Sequence, residues 1–371
     1  MKNILLVLAV LCGIPSVGQQ QKTENVVVVT LDGYRWREVF NGADKKILFR
    51  KKYVTDTAVQ RKFWHQDAMK RRKLLMPFLW NVIGKKGQLY GNRYLDNGVT
   101  LANRTLYSYS GYSEMFVGFH DKRVKNNEPI SNPNFTVLEA LNRDPRFAHS
   151  VAAFSTWNTM PYILREDISG IPVNSGDDKA EGKHLTPREK KLNKVTDHEK
   201  NPHGDRYDKF TFQYAMEYMK RKNPRVVFIS FDETDEHGHG GRYDEYLKSA
   251  HAADSMINVL WTWLQSQDQY KNKTTLLVTT DHGRGTSARG WKGHALLFRG
   301  SAQTWLAAIG PDTAPIGEMT SFMRLKQSQL AQTIAALLNH QYSNVKSTGA
   351  PISTIFRKEE FAEEELAYAE E

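Results

Sequence analysis

The chain has 371 residues, of which 40% are hydrophobic and 11% aromatic, so disorder of the whole chain is excluded and a large core is within reach. Its formal net charge of +10 suits nucleic acid, anionic lipid or a small anionic substrate such as a phosphate ester, and charge alone does not choose among them.

Met1 and Lys2 precede an apolar run from Ile4 to Val17, with Ser16 and Gly18 as small residues placed for cleavage after Gly18. Residues 1–18 are therefore predicted to be a secretory signal peptide, and the chain to be exported, either to a periplasm or outside the cell. A buried first helix fits less well, because the run breaks at Gly13 and Pro15 and passes directly into QQQKTEN. A membrane span would need a longer apolar stretch. Leu11, just before Cys12, does not fit a lipid-attachment site. Cys12 is the only cysteine, so the mature chain, 19–371, is expected to carry no thiol. That excludes a disulfide framework, and cysteine as nucleophile or ligand.

Val26 to Thr30 is a continuous β-branched run, as expected of a strand covered on both faces. Shorter apolar runs at His149–Phe154, Arg225–Ser230, Thr275–Thr279 and Trp305–Ile309 predict further strands, and apolar residues spaced by three and four predict helices over Tyr243–Gln265 and Leu325–Asn339. Residues 43–72, rich in Lys and Arg, and the charged stretch 174–209 interrupt this alternation. Both are read as insertions over one rim of the sheet, either solvated loops or a cap that shapes the substrate site. The acidic end EEFAEEELAYAEE reads as a surface helix or a disordered end. The alternation as a whole predicts an α/β fold, a mostly parallel central sheet sandwiched between helices, in a single domain.

Three of these strands end in the same chemistry. VVVVTLDG ends in Asp32; RVVFISFDETDEHGH ends in Asp232, Asp235, His237 and His239; TLLVTTDHG ends in Asp281 and His282; and His294 follows in WKGHA. In open α/β sheets the carboxyl ends of the strands line the ligand crevice, so residues distant in sequence can converge there. Several carboxylates that close repel one another unless cations are present. A mixed set of Asp oxygens and His nitrogens suits zinc, or manganese or iron, better than magnesium. Six such side chains suffice for two ions roughly 3.5–4 Å apart, the spacing that clamps both oxygens of a phosphoryl transfer. Any one Asp or His at a strand end is more often a cap or turn former; the signal is joint.

The ordered set LDGYRW, SYSGYSEMFVG, DEHGH, TDHG and GHA resembles the alkaline phosphatase superfamily, most closely the branch holding the nucleotide pyrophosphatases and type I phosphodiesterases together with the cofactor-independent phosphoglycerate mutases. The resemblance covers most of the mature chain and implies an alkaline phosphatase-like catalytic domain with two divalent metal ions, zinc first and manganese as alternative. It implies one metal site from Asp235, His239 and His294 and a second from Asp32, Asp281 and His282. Asp232 and His237 match no ligand position, which leaves them to orient a ligand or to pack a loop.

The family's Ser or Thr nucleophile opens a helix ten residues before a Gly, and counting back from Gly118 gives Ser108, with Ser110 second. Thr105 and Ser113 lie in the same segment, and Ser113 reads as a helix cap. A helix N-terminus is physically apt, since its free N–H groups can hold phosphate oxygens while a metal lowers the hydroxyl pKa. Where the diesterases carry a transition-state-binding Asn, this chain has Gly111, whose backbone N–H is the candidate replacement. Arg284 and Lys292 are candidates to bind the substrate's charge, and Tyr34, Trp36 and Tyr112, with the two insertions, to set substrate choice.

The function these features imply is an exported phosphoester hydrolase with two metals. It would act through Ser108 and a phosphoseryl or nucleotidyl-seryl intermediate on a small anionic monoester or diester. A phosphomutase of the same superfamily and a secreted basic metal-containing binding protein are the alternatives. A sulfatase is disfavoured because no Cys/Ser-x-Pro-x-Arg context occurs, and a hydrolase triad because no Gly-x-Ser-x-Gly elbow does. No Lys/Arg run interleaved with aromatics appears beyond FRKKY and MKRRK, so nucleic acid is not expected as a structural partner.

Overall fold

The computed structural model describes residues 22–201 and 206–356; the expected signal peptide and the acidic end lie outside the described residues. Eleven strands occur there: β1 (Asn25–Leu31), β2 (Gln88–Tyr90), β3 (Asn97–Thr100), β4 (Val151–Ser155), β5 (Val173–Ser175), β6 (Val226–Phe231), β7 (Thr274–Thr279), β8 (Gln303–Thr304), β9 (Leu306–Ile309), β10 (Gly317–Glu318) and β11 (Met323–Lys326). Eight form the central sheet in the order β10-β2-β9-β7-β1-β6-β4-β5, and β11-β3-β8 make a small second sheet. The run β7-β1-β6-β4-β5 is parallel throughout, while β9 runs antiparallel to both β7 and β2. The sheet is thus mostly parallel, as the alternation of strands and helices predicts.

The β-branched run is buried because helices cover both faces of β1. Val27, Val29 and Leu31 pack into one core with the long helix Tyr243–Leu264, and Val26 and Val28 into another with the helices Ser108–Val117 and Gln329–Leu337. At roughly 2 kcal/mol for each Val or Leu taken out of water, these five side chains contribute on the order of 10 kcal/mol before chain entropy is subtracted.

One periodicity reading fails. The helix predicted over Leu325–Asn339 begins only at Gln329, because Leu325 and Lys326 are pulled into β11 by pairing with Val99 and Thr100 of β3. A short apolar stretch carries no signal for such a distant partner.

Neither interrupting segment is a bare solvated loop. Residues 43–72 hold the helices Lys45–Leu48 and Ala58–Phe63 and most of Ala68–Leu75, with Ile47, Leu48, Val59 and Phe63 buried in the same core as the long helix. Residues 174–209 include the helix Pro187–Val195, whose start is closed reciprocally by Thr186 and Glu189. Its Leu192 is buried beside Tyr214 of the helix Asp208–Lys222. No helix among the described residues is long and apolar enough to cross a membrane.

Register sets the positions that matter. Leu31 pairs with Phe231, and Thr30 with Thr279, so β1, β6 and β7 end level and the residues that follow them emerge side by side.

Candidate active site

Each of the three strand ends delivers its side chains differently. After β1, Asp32 leads into Gly33, which turns with φ 58° and donates its N–H to Asp281 Oδ1 at 3.0 Å. A Cβ on Gly33 would stand 2.3 Å from Asp235 Oδ1, so only glycine lets the strand ends approach this closely. After β6 the chain turns straight into the helix Glu233–His239, whose first amides are held by the buried Asp208 carboxylate: Asp232 N at 2.8 Å and Glu233 N at 3.2 Å. Asp235 and His239 thereby sit one turn apart on a single helix face. Beyond β7, Asp281 and His282 follow directly, and His294 returns on the loop after them.

All six sequence-predicted ligands converge. His282 Nε2 lies 3.4 Å from Asp32 Oδ1, 3.5 Å from Asp281 Oδ2 and 3.8 Å from Asp235 Oδ1. His239 Nε2 lies 3.0 Å from Asp235 Oδ2 and 3.1 Å from His294 Nε2. Two groups gather donor atoms within 4.8 Å of one another: Asp32, Asp281 and His282, and Asp235, His282 and His294. His282 is thus within reach of both groups. The Nδ1 atoms of His282 and His294 face the carbonyl oxygens of Gly283 (2.9 Å) and Leu106 (2.8 Å). That contact calls for the proton on Nδ1 and turns the bare Nε2 toward the cluster, the arrangement of a metal-ligating imidazole.

The electrostatics of the protein alone leave negative charge uncompensated. Burial, then repulsion from Asp281 and Asp235, pushes the Asp32 carboxyl well above its usual range, against a hydrogen bond from Tyr112. Burial pushes Asp281 up to about 7, although Gly33 N–H opposes it. Asp281 Oδ2 is buried with no hydrogen-bond partner. Burial, then the neighbouring His294, holds His282 well below its ordinary value, so it does not supply the missing positive charge. Asp235 differs: burial works against its ionised form, but Arg284 and His239 outweigh that and hold it low. An orphaned carboxylate oxygen facing neutral imidazoles is a donor set that fits divalent cations.

Ser108 opens the helix Ser108–Val117, with Oγ 3.2 Å from His282 Nε2 and 3.5 Å from Asp32 Oδ1. Ser110 turns the other way. Its Oγ accepts the Tyr107 N–H (3.2 Å) and the Thr105 hydroxyl (2.7 Å), and lies 2.8 Å from Tyr107 O. Ser113 Oγ accepts from Asn132 at 3.0 Å, away from the cluster.

Several roles expected from the sequence are corrected by this geometry. Gly111 has no free N–H to offer, because it donates to Tyr107 O at 2.9 Å. A Cβ there would stand 2.4 Å from Asp281 O, so this glycine is the point where the helix touches the end of β7. A carboxamide does stand at the start of the helix: Asn127 accepts the Tyr109 N–H through Oδ1 at 3.0 Å. Sequence reasoning missed it because the loop that carries it has no motif. Arg284 is 1% exposed, with Nη1 on Asp235, Nε on Trp291 O and Nη2 on Lys292 O, so its donors are committed to the protein. Lys292 is half-buried beside Gly241.

Tyr34, Trp36 and Tyr112 are buried and do not line an open pocket. Tyr112 has a different place: its hydroxyl donates to Asp32 Oδ2 at 3.0 Å and lies 2.8 Å from Ser230 Oγ. It orients a predicted ligand from beneath. Asp232 is buried next to these groups, and His237 is half-buried on the outer side of its helix beside a cavity of about 600 Å³.

A family model described as type I phosphodiesterase / nucleotide pyrophosphatase matches residues 54–346, a span that includes Ser108, Asp235, His239, Asp281, His282 and His294. No curated protein sequence is matched. Among solved structures, wild-type alkaline phosphatase PafA superposes with a TM-score of 0.57 at 11% identity, covering 91% of this chain and 99% of that one. Murine ectonucleotide pyrophosphatase / phosphodiesterase 5, an inactive form in complex with AMP, gives 0.53 at 12% identity over 90% of this chain and 98% of that one. The phosphonate monoester hydrolase of Agrobacterium radiobacter gives 0.55 at 11% identity over 90% and 77%. At identities this low the likeness speaks for the fold, which is alkaline phosphatase-like.

Proposed function

The chain belongs to the type I phosphodiesterase / nucleotide pyrophosphatase family, and from that premise we propose that it is an exported hydrolase of small anionic phosphoesters, with Ser108 as the nucleophile. The observation that carries this reading is the convergence of ligand-type side chains from three strand ends on a serine at a helix start, Ser108 Oγ lying 3.2 Å from His282 Nε2. Asp32, Asp281 and His282 would hold one divalent cation, and Asp235, His239 and His294 the other. The mixed oxygen and nitrogen donors favour zinc, with manganese as alternative. When bound, such cations lower the pKa of the serine hydroxyl and neutralise phosphoryl charge. The signal-like run Ile4–Val17 supports export.

Ser108 gives its hydroxyl proton to solvent and its Oγ attacks phosphorus; the Oγ–P bond forms as the P–O bond to the alcohol breaks, and the alcohol leaves with a proton drawn from solvent. Water then cleaves the phosphoseryl ester and restores the hydroxyl. The N-terminal end of the Ser108 helix would favour the phosphoryl charge. Tyr112 keeps the Asp32 carboxylate aimed, and Gly111 keeps the helix against the end of β7. None of the histidines serves as a proton shuttle.

The test is turnover of a chromogenic phosphate monoester, a phosphodiester and a sulfate ester by protein loaded with zinc or manganese, beside Ser108→Ala. Phosphoester turnover that is lost in the variant and on chelation is expected. Equal rates for wild type and Ser108→Ala would refute the nucleophile assignment, and turnover that survives chelation would refute the metal sites.

A further inference from the structure

The basic insertion does more than add to the core. From Asp44 to Leu75 the chain carries eleven Lys and Arg against three Asp, a surplus of eight where the whole chain has +10. Two of the eleven point inward and fix the segment to the fold. Arg71 Nε donates to Asn41 O at 2.6 Å, and Arg72 meets Glu318 at 2.9 Å with its guanidinium 3.4 Å from the centre of the Trp80 ring. The other nine are exposed, and among the described residues none of them forms an ion pair; Asp44 lies 3.8 Å from Arg35, and Asp56 pairs with Lys248. The second charged insertion shows what an ordinary solvated face looks like: Lys179 pairs with Asp197 at 2.6 Å and Lys209 with Glu199 at 2.8 Å. A face of nine unpaired like charges repels itself, and an anionic partner relieves that repulsion.

Apolar side chains stand among these cations. Phe49 is 47% exposed and meets the half-buried Trp64 edge-on at 5.4 Å, and Lys45 Nζ lies 5.8 Å from the centre of the same Trp64 ring. On the helix Ala68–Leu75, Met69 (55% exposed) and Leu74 (42%) share the outward arc with Lys70 and Lys73, because Arg71, Arg72 and Leu75 take the inward one. A phosphate- or sulfate-bearing polymer would engage the lysines and has no use for Met or Leu. A bilayer with anionic headgroups engages both, with cations at the phosphates, Trp and Phe at headgroup level and aliphatic side chains just beneath.

We propose that the exposed face of residues 45–74 docks the protein on an anionic lipid surface, its Lys and Arg side chains meeting headgroup phosphates while Phe49, Trp64, Met69 and Leu74 enter the headgroup layer. The inference concerns the surface alone and stands apart from the identity of the reacting group.

The experiment is co-sedimentation of the chain from residue 19 onward with vesicles of phosphatidylcholine, with and without phosphatidylglycerol, at low and high salt. Binding is expected only where phosphatidylglycerol is present, and it should weaken as salt rises. Each cation at such a surface is worth about fivefold, so the triple variant Lys45→Gln, Lys70→Gln, Lys73→Gln should bind about 100-fold more weakly. The double variant Phe49→Ser, Met69→Ser should bind about 10-fold more weakly, at high salt as at low, because it removes apolar area and no charge. Both variants should keep the melting temperature, since the altered side chains are exposed. Equal binding of wild type to the two vesicle types overturns the inference, as does phosphatidylglycerol binding that survives the glutamine variant. Heparin binding that depends on the lysines, with no loss of vesicle binding in the serine variant, also overturns it and assigns the face to an anionic polymer. Vesicle binding that appears only once residues 357–371 are removed overturns it as well, and assigns the face to the chain's own acidic end.

Discussion

Replacing Tyr112 by Phe removes one oxygen from the interior and leaves the ring in place. That oxygen donates to Asp32 Oδ2 at 3.0 Å. It also lies 2.8 Å from Ser230 and 3.3 Å from Thr30, all of it buried. A buried hydrogen bond to a charged group contributes about 1.5–3 kcal/mol, which is about 10- to 150-fold in an equilibrium constant. Asp32 must be ionised to hold a cation, yet burial and neighbouring carboxylates already push its pKa up, and Tyr112 is the hydrogen bond that opposes them. The loss should therefore fall mainly on the metal-bound form. Zinc affinity, measured by competition with a chromogenic chelator, should weaken about 10- to 100-fold, the range seen when a residue that orients a ligand is removed. The pH for half-maximal metal binding should rise, because a proton is then harder to remove from Asp32. Urea unfolding of the metal-free protein gives the reference. An unchanged zinc affinity, with the whole effect in metal-free stability, would refute the role of Asp32 as a ligand oriented by Tyr112.

Two further changes separate packing from chemistry. Gly111→Ala puts a Cβ 2.4 Å from Asp281 O, a backbone atom that cannot swing aside, so a loss of about 1–3 kcal/mol is expected, with a fall in kcat as the Ser108 helix lifts from the strand end. In an unconstrained helix the same change stabilises by about 0.5–1 kcal/mol, so a raised melting temperature would contradict the contact. Asp254 accepts the N–H groups of Phe78 (2.7 Å) and Leu79 (2.9 Å), and burial pushes its carboxyl up to about 7. Because its folded pKa lies above the unfolded one, its contribution is full below about pH 4 and is lost as the pH rises through about 7, by on the order of 4 kcal/mol at 1.36 kcal/mol per unit. The stability of wild type minus that of Asp254→Asn should fall by that order between pH 4 and pH 8 in urea unfolding, and a constant difference would contradict the assignment.

What could be read in the chain was local. The run VVVVT declares a strand covered on both faces because β-branched residues without polar interruption have no solvated face to present. Aspartate and histidine just past three such runs declare a crevice, because parallel strands end on one side of a sheet. The family resemblance read from these short stretches is borne out by the family model over residues 54–346, and the fold by the superposed structures.

What depended on contacts between distant residues was hidden. Leu325 joins a strand because Val99 lies beside it. Gly111 is a contact surface because Asp281 comes within reach of it, and Arg284 spends its donors on Asp235 and on the Trp291 and Lys292 carbonyls. Tyr112 finds Asp32, and Asn127 the start of the Ser108 helix, across loops that no periodicity describes. A side chain's type and spacing follow from covalent order, whereas its hydrogen-bond partner is chosen when helices dock on the sheet and every buried polar atom must find one. The chain's order thus named the candidate side chains, and only the tertiary structure decided which neighbours surround them.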